Sequence, residues 1–230
     1  MNKKVVLAFS GGLDTSFCVP YLIDQGYEVH TLFVNTGGIS AKEEQAITKR
    51  ANELGAKNHI NINVEKSLWN EILIPLVQSG ALYQNKYPAL CSDRYLIVKE
   101  SIKLCKKLKT KDIAHGCTGM GNDQIRFDLS IRAHGNYNII TPIREIQNIT
   151  KNVRAYEEDY LQDKGFKVSS LHKKYSINEN LMGATISGSE IDEWEEPSSE
   201  SFVLCKLPYQ YPKKPKTLTI KFLKGKVVAI

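Results

Sequence analysis

No apolar run in the 230-residue chain approaches the ~18–20 residues that a membrane-crossing helix needs. There is no C-x-x-C pair. The five cysteines, Cys18, Cys91, Cys105, Cys117 and Cys205, are scattered and odd in number, which argues against a disulfide scaffold or a zinc ribbon. The chain's start lacks the long apolar core of a signal peptide: residues 5–9 form only a short run that meets Ser10-Gly11-Gly12 and Asp14. A reduced, cytoplasmic protein with no membrane partner is expected. Net charge is scarce as well, with 31 Lys+Arg against 25 Asp+Glu, whereas nucleic-acid binders concentrate charge in a patch. The densest cluster, Lys103, Lys106, Lys107, Lys109 and Lys111, falls near the end of an expected helix, where cations suit the helix dipole. RNA contact is the alternative for that cluster; no nucleic-acid partner is expected for the chain. His30, His59, His134 and His172 show no metal spacing, and no metal site is expected. No internal repeat or low-complexity tract occurs.

What is present fits a globular protein. Apolar residues make up 42% of the chain, too many for a disordered segment. The length allows one large domain, or one plus part of another. Strands are expected at 5–9, 29–34, 58–64, 113–115 and 138–140, and helices at 14–25, 41–54, 93–108 and 151–164. Gly26, Gly55 and Gly165 act as helix stops. This alternation implies an α/β domain with an open, mostly parallel sheet and helices on both faces. Such sheets bind ligands at the carboxyl ends of strands, near a switch in strand order. Two glycine-bearing segments follow strands, at 10–16 and 116–122, and a single site between them is expected. The character changes after about residue 167. Pro208, Pro212 and Pro215 rule against a helix at 207–216. Residues 217–223 then alternate as a half-buried strand, with Leu218, Ile220 and Phe222 on one face, and Gly225 turns it into 227–230. The expected division is a nucleotide-binding domain at 1–166 and the beginning of a second, α+β domain at 167–230.

The sharpest signal is Ser10-Gly11-Gly12-Leu13-Asp14-Thr15-Ser16, between a strand and a helix. Glycines let the backbone pass close to an anion, and the free N–H groups of a helix start, with Ser and Thr hydroxyls, can cradle phosphate. The segment is neither a Walker loop nor the dinucleotide G-x-G-x-x-G. The second signal runs from Ala114 to Asp128, reading AHGCTGMGNDQIRFD. Its glycines bring backbone donors near a ligand, Thr118 and Asn122 offer neutral hydrogen bonds, Asp123 can hold an ammonium group, and Arg126 can fork a carboxylate. That set suits an amino-acid substrate. The alternative is an Asp–Arg i,i+3 pair on a helix surface.

The first segment resembles the pyrophosphate loop of ATP pyrophosphatases, and the second resembles the substrate loop of the argininosuccinate synthase family within that group. Tyr175-Ser176-Ile177-Asn178-Glu179-Asn180-Leu181, Ala81-Leu82-Tyr83 and Tyr87-Pro88 are similar to further segments of the family, so the likeness covers essentially the whole chain. Cys117, Met120, Ser92-Asp93-Arg94-Tyr95 and Pro142-Ile143-Arg144-Glu145-Ile146 resemble the bacterial branch in which some members take N-acylated citrulline. The resemblance implies an adenine nucleotide alpha-hydrolase-like fold. It also implies a ligase that joins citrulline, or an N-acyl citrulline, to aspartate through a citrullyl-adenylate, giving argininosuccinate, AMP and pyrophosphate in arginine biosynthesis. ATP would meet Ala8, Ser10, Gly11, Gly12, Asp14, Thr15, Ser16, Val34 and Gly116. Aspartate would meet Thr118, Asn122 and Asp123. Citrulline would meet Tyr87, Ser92, Asn122, Arg126, Ser176 and Thr185. Magnesium would travel with ATP, no catalytic residue is singled out, and a homo-oligomer, a tetramer in the full-length family, is implied.

Two departures stand out. Thr185 falls where the family usually has serine, and Met120 where many relatives have lysine. The chain is also shorter than the family, so a fragment, a separately expressed domain or a natural short form is expected. The alternatives to the ligase are a tRNA-thiolating ATP pyrophosphatase using Cys117, and a nucleotide-binding fragment without turnover.

Overall fold

The computed structural model describes residues 3–86, 90–168, 175–188, 190 and 193–230. Tyr87, Pro88 and His172 lie outside the described residues. Chain contacts separate residues 1–187 from residues 188–230.

The first unit is built on five strands: β1 (Lys3–Ala8), β2 (Tyr27–Asn35), β3 (Asn58–Asn63), β4 (Asp112–Ala114) and β5 (Asn138–Ile140), in the order β3-β2-β1-β4-β5. Every neighbouring pair is parallel. β1 is central because both of its faces are apolar. Val5 and Leu7 enter one core with Phe17, Leu22, Ala51 and Leu161. Val6 and Ala8 enter the other with Leu96, Ile102, Phe127 and Ile131. The two cores are the two covered faces of the sheet, which is why β1 reads as a continuous apolar run rather than as an alternation. The edge strand β3 instead mixes Asn58, His59, Asn61 and Asn63 with Ile60 and Ile62, and none of its residues is fully buried.

Helices α1 (Leu13–Asp24), α2 (Ala41–Glu53), α7 (Pro142–Gln147) and α8 (Val153–Asp163) supply the first core. α5 (Arg94–Leu108) and α6 (Asn122–Ala133) supply most of the second. Between β3 and α5 the short α3 (Glu65–Ser67) runs through π-helical turns at Leu68–Leu73 into α4 (Ile74–Ser79), helical structure that the sequence pattern did not show. α2 begins with a capping box: Glu43 N donates to Ser40 Oγ at 3.3 Å, and Ser40 N donates to Glu43 Oε2 at 2.8 Å. α8 starts at Val153, two residues later than expected, because Asn152 Oδ1 caps it by accepting from Ala155 N at 3.3 Å.

Two strands, β6 (Tyr175–Asn180) and β7 (Gly183–Gly188), form a hairpin. Its tip meets the end of β2, where Leu181 N donates to Thr36 O at 3.1 Å. Gly37 and Gly38 make that meeting possible. Both have left-handed φ, +89° and +85°, and a Cβ on either would come within 2.7 Å of Leu181 Cγ or 2.6 Å of Glu179 Cγ.

Among the described residues of 188–230, 3-10 turns at Ser199–Ser201 and Pro208–Gln210 precede a two-stranded antiparallel sheet, β8 (Lys221–Leu223) with β9 (Lys226–Ala229). The half-buried strand expected at 217–223 is corrected here. Leu218, Ile220 and Phe222 are 69%, 44% and 65% exposed, and only Lys221–Leu223 is strand. Alternation marks a face that can be buried; burial also needs a covering layer, and among the described residues of this unit none covers the sheet.

Candidate functional site

Strand order reverses between β1 and β4. From β1 the chain steps outward through β2 to β3, then returns to add β4 on the other side of β1. The loops leaving these two strands therefore face each other at their carboxyl ends, the usual ligand crevice of such sheets. The structure brings both glycine segments there. A Cβ on Gly116 would sit 3.1 Å from Thr15 Cγ2 and 3.4 Å from Asp14 Cβ, so the second loop lies directly against the first turn of α1.

The first loop is tied to itself. Ser10 N donates to Thr15 Oγ1 at 3.3 Å, and Ser10 Oγ lies 3.2 Å from Thr15 Oγ1. Gly12 N donates to Ser10 Oγ at 3.4 Å, and Thr15 Oγ1 donates to Gly12 O at 3.3 Å. Ser16 Oγ donates to Gly11 O at 3.4 Å. Gly11 has φ +77° with Ile47 Cγ1 at 3.1 Å from its Cβ direction, whereas Gly12 has an ordinary extended backbone, φ −71° and ψ 175°. The N-cap of α1 is Gly12, and no side chain caps the helix. Its first turn carries the backbone donors of a helix start, where an anion is favoured. Ala8 ends β1, and Val34 is buried near the end of β2.

Two supports come from farther away. Arg50 Nε donates to Ser16 Oγ at 3.2 Å and Arg50 Nη1 to Lys167 O at 2.8 Å. Glu157, buried on α8, stands behind Asp14. Burial first, and the Asp14 charge second, push the Glu157 carboxyl up to about 8, while Arg154 pulls the other way. The Asp14 carboxyl is raised as well, chiefly by burial. These shifts favour a protonated Glu157 beside Asp14.

The second loop is tied to other elements. His115, 1% exposed at the end of β4, accepts from Cys117 N through Nδ1 at 3.3 Å. A backbone N–H can only donate, so the ring proton sits on Nε2, which donates to Asp128 Oδ1 at 3.0 Å. Arg144 of α7 forks the same carboxylate, Nη1 to Oδ2 at 2.9 Å and Nη2 to Oδ1 at 3.1 Å. Burial would raise the Asp128 pKa, but His115 and Arg144 outweigh it and hold the carboxyl well below the usual range. Burial lowers the His115 pKa against the pull of Asp128. The Gly119 peptide is held on both sides: its N donates to Gln147 Oε1 at 2.7 Å, and its O accepts from Gln124 Nε2 at 2.6 Å.

Asn122, Asp123 and Arg126 open α6, a helix the sequence pattern left as loop. Asp123 Oδ1 accepts from Arg126 Nη1 at 2.7 Å, and its Oδ2 from Arg94 Nε and Nη2 at 3.2 and 3.0 Å. Arg94 also forks Asp93 at 2.9 and 3.0 Å. Burial disfavours the Arg94 charge, but Asp93 and Asp123 outweigh it and push its pKa up. Thr118 is half-buried in the loop. Ser92 Oγ is a buried oxygen without a hydrogen-bond partner. Next to it in sequence, Cys91 Sγ is 3.8 Å from Thr185 Oγ1 on β7. Ser176 is exposed on β6, and Tyr87 is outside the described residues. Cys117 is half-buried, with its thiol pushed up to about 12 by burial first and the Asp123 charge second.

Away from this site, a cleft of about 730 Å³ is lined by Lys3, Lys4, Glu28, Lys111 and Asp112 among others. The lysine-rich end of α5 thus meets charges of both signs. Arg94, Asp128, Arg144 and Gln147 carry much of the site's order without having been singled out by sequence pattern for it. Their partners lie on other elements, and the only local signal was the adjacent charges of Asp93-Arg94. No helix of the described residues is long and apolar enough to cross a membrane.

A family model described as the arginosuccinate synthase N-terminal HUP domain matches residues 4–166. An argininosuccinate synthase from Xanthomonas campestris pv. campestris is 51% identical over 229 residues, covering 100% of this chain and 58% of the relative. One from Xylella fastidiosa is 51% identical over 229 residues, covering 100% of this chain and 57% of the relative. One from Hyperthermus butylicus is 37% identical over 231 residues, covering 99% and 57%. The chain thus spans less than three fifths of the length of these relatives.

Proposed function

The chain belongs to the argininosuccinate synthase family, and on that footing we propose that it holds ATP, aspartate and citrulline at the crevice between β1 and β4 for ATP-dependent ligation. The observation that carries this reading is the contact of Gly116 with Thr15 and Asp14, which makes one site of a phosphate-type loop and an amino-acid-type loop. ATP lies with its phosphates over Ser10, Gly11, Gly12 and the uncapped start of α1, and its base lies toward Val34. Magnesium enters with ATP as part of the substrate; among the described residues no cluster of three or more His, Cys, Asp or Glu stands ready to hold it alone.

Thr118, Asn122 and Asp123 take aspartate, and Arg126 takes a carboxylate of the citrulline-type acceptor together with Asn122, Ser92, Tyr87, Ser176 and Thr185. The ureido oxygen attacks the α-phosphorus, and the bond to the bridging oxygen breaks, releasing pyrophosphate with its electron pair. The aspartate amine then attacks the ureido carbon, AMP leaves, and the amine gives up its proton. Such steps need positioning and charge neutralisation more than a strong base. That agrees with a site made of glycines, hydroxyls, amides and arginines. The acceptor is citrulline or an N-acyl citrulline, and the protein works in the cytoplasm as a homo-oligomer.

Gly12→Val is the clean test. The backbone at Gly12 suits any residue, and its Cβ would meet only Ser10 Oγ, at 3.5 Å. The fold should survive while the bulk blocks close approach of an anion. Calorimetry should show ATP affinity largely lost with the thermal transition retained; unchanged affinity overturns the nucleotide site. Pyrophosphate release, measured with and without citrulline, N-acetylcitrulline and aspartate, then separates ligation from nucleotide holding. Acceptor-dependent release supports the ligase, and binding without release marks a nucleotide-holding module.

A further inference from the structure

We propose that Arg144, Asp128 and His115 form a positioning relay that holds the 117–119 segment of the second loop in its ligand-ready shape. The inference deepens the reading just given and rests on it for the identity of the ligand. None of the three residues reaches the crevice as a ligand contact in that reading; each acts through the next.

The relay has a direction set by chemistry. Arg144 can only donate, so it fixes which oxygens of Asp128 are occupied: both, by Nη1 and Nη2. The carboxylate then has only acceptor capacity left for His115, which forces the proton onto Nε2. With Nε2 protonated, Nδ1 is the bare nitrogen, and it is free to accept from Cys117 N. Removing the carboxylate's acceptor character at one end therefore changes the hydrogen bond at the other. The groups facing His115 are Asp128 of α6 and Arg144 of α7, with the Phe127 ring 5.1 Å away. His115 is buried, so an orphaned Cys117 N–H would not be easily rescued by water.

The same helix carries the rest of the support. α7 sends Gln147 to Gly119 N and Arg144 to Asp128. Its Glu145 accepts from Tyr21 Oη of α1 at 3.0 Å. The six residues of α7 thus touch both the helix that begins with the first loop and the ties of the second. This makes α7 the piece that sets the distance between the two loops.

Asp128→Ala tests the relay. With the carboxylate gone, the nearest groups that can meet Nε2 are the Arg144 donors that now share Oδ1 with it. Nε2 then accepts, the proton moves to Nδ1, and the Cys117 N–H loses its partner. Nitrogen-15 spectra of the imidazole should show an Nε2–H tautomer in the unsubstituted chain and an Nδ1–H tautomer in the variant, with faster hydrogen exchange at the Cys117 amide. Calorimetry with ATP present should show aspartate binding weakened by about tenfold or more, as for a buried donor left unpaired, and ATP affinity changed less than about twofold. Asp128→Glu, which keeps the acceptor, should restore the Nε2–H tautomer and most of the affinity. The same tautomer and the same Cys117 exchange in Asp128→Ala overturn the relay. If the unsubstituted chain binds neither ATP nor aspartate, the proposed function falls, while the spectra and the exchange rates still decide the relay by themselves.

Discussion

The two glycine loops meet at one crevice, yet they are held in opposite ways. In the first, the bonds among Ser10, Gly11, Gly12, Thr15 and Ser16 span five residues or fewer. In the second, the short bonds to His115 and Gln124 are backed by partners 13 and 28 residues apart on α6 and α7, and by the Arg144–Asp128 pair behind them. A loop closed by its own hydroxyls carries its shape in its motif. A loop closed by distant side chains takes its shape from the fold and keeps it only while three elements stay in register. The first should fail when its own backbone is altered, and the second when something outside it is altered.

The largest expected effect is the direct break of the first loop. Gly11→Val places a β-branched residue at φ +77° with Ile47 Cγ1 at 3.1 Å. Left-handed strain and overpacking together should cost about 3 kcal/mol, read from urea denaturation. The comparison adds a sharper demand: hydrogen exchange at the Cys117 amide should stay as it was, because nothing holding the second loop runs through Gly11. An exchange rate that rises along with the lost stability would show that the two loops are one unit.

Glu157→Gln probes the exception, the remote carboxyl behind the first loop. Its native pKa of about 8 lies above the ordinary 4.5, so the native state keeps a proton that the unfolded chain sheds. The contribution is fully present below pH 4.5 and is lost as pH rises through 8. Glutamine mimics the protonated acid and does not titrate. The variant should therefore lose that decline and exceed the unsubstituted chain by about 2 kcal/mol at pH 8, with the difference shrinking toward pH 5. Equal slopes of midpoint against pH would mean that Glu157 does not hold the proton.

Arg144→Met should break the second loop from outside. The Arg144 and Asp128 side chains are 25% and 20% exposed, so the loss should be about 1–2 kcal/mol at pH 7, less than for a fully buried pair. The Asp128 carboxyl titrates below its ordinary 3.8. The pair's contribution is thus present above that value and fades as pH falls through the lowered one. The gap between variant and parent should close in acid, and ATP affinity should change little. A gap that persists unchanged at pH 2 would mean that Arg144 acts through packing.

The same contrast explains what the sequence could and could not tell. The parallel sheet was legible because Val5, Val6 and Leu7 form an unbroken apolar run and glycines punctuate each helix, all local facts. The first loop was legible for the same reason. The pairing of Asp123 with both Arg94 and Arg126 was only half visible, since the i,i+3 partner can be counted but Arg94 arrives from α5 across 29 residues. The role of Gly37 and Gly38 as a seat for the hairpin tip was not visible, because the side chains they admit, Leu181 and Glu179, come from far along the chain. The alternation of Leu218, Ile220 and Phe222 misled, because a pattern states which face can be covered and not that a layer covers it.

The smallest expected effect is at Cys117, the residue a sulfur-transfer reading would single out. A thiol pushed up to about 12 is overwhelmingly protonated at pH 7 and a poor nucleophile. What Cys117 gives the loop is its backbone N–H to His115, which serine keeps. Cys117→Ser should therefore change stability by less than about 1 kcal/mol and leave ATP affinity, the His115 tautomer and the Cys117-site amide exchange as they were. Thiol labelling of the unsubstituted chain should be slow at Cys117 and fast at the exposed Cys205. Fast labelling at Cys117, or loss of the second loop's order in the serine variant, would show that this loop leans on one of its own side chains after all, and the division between a self-held loop and a fold-held loop would not stand.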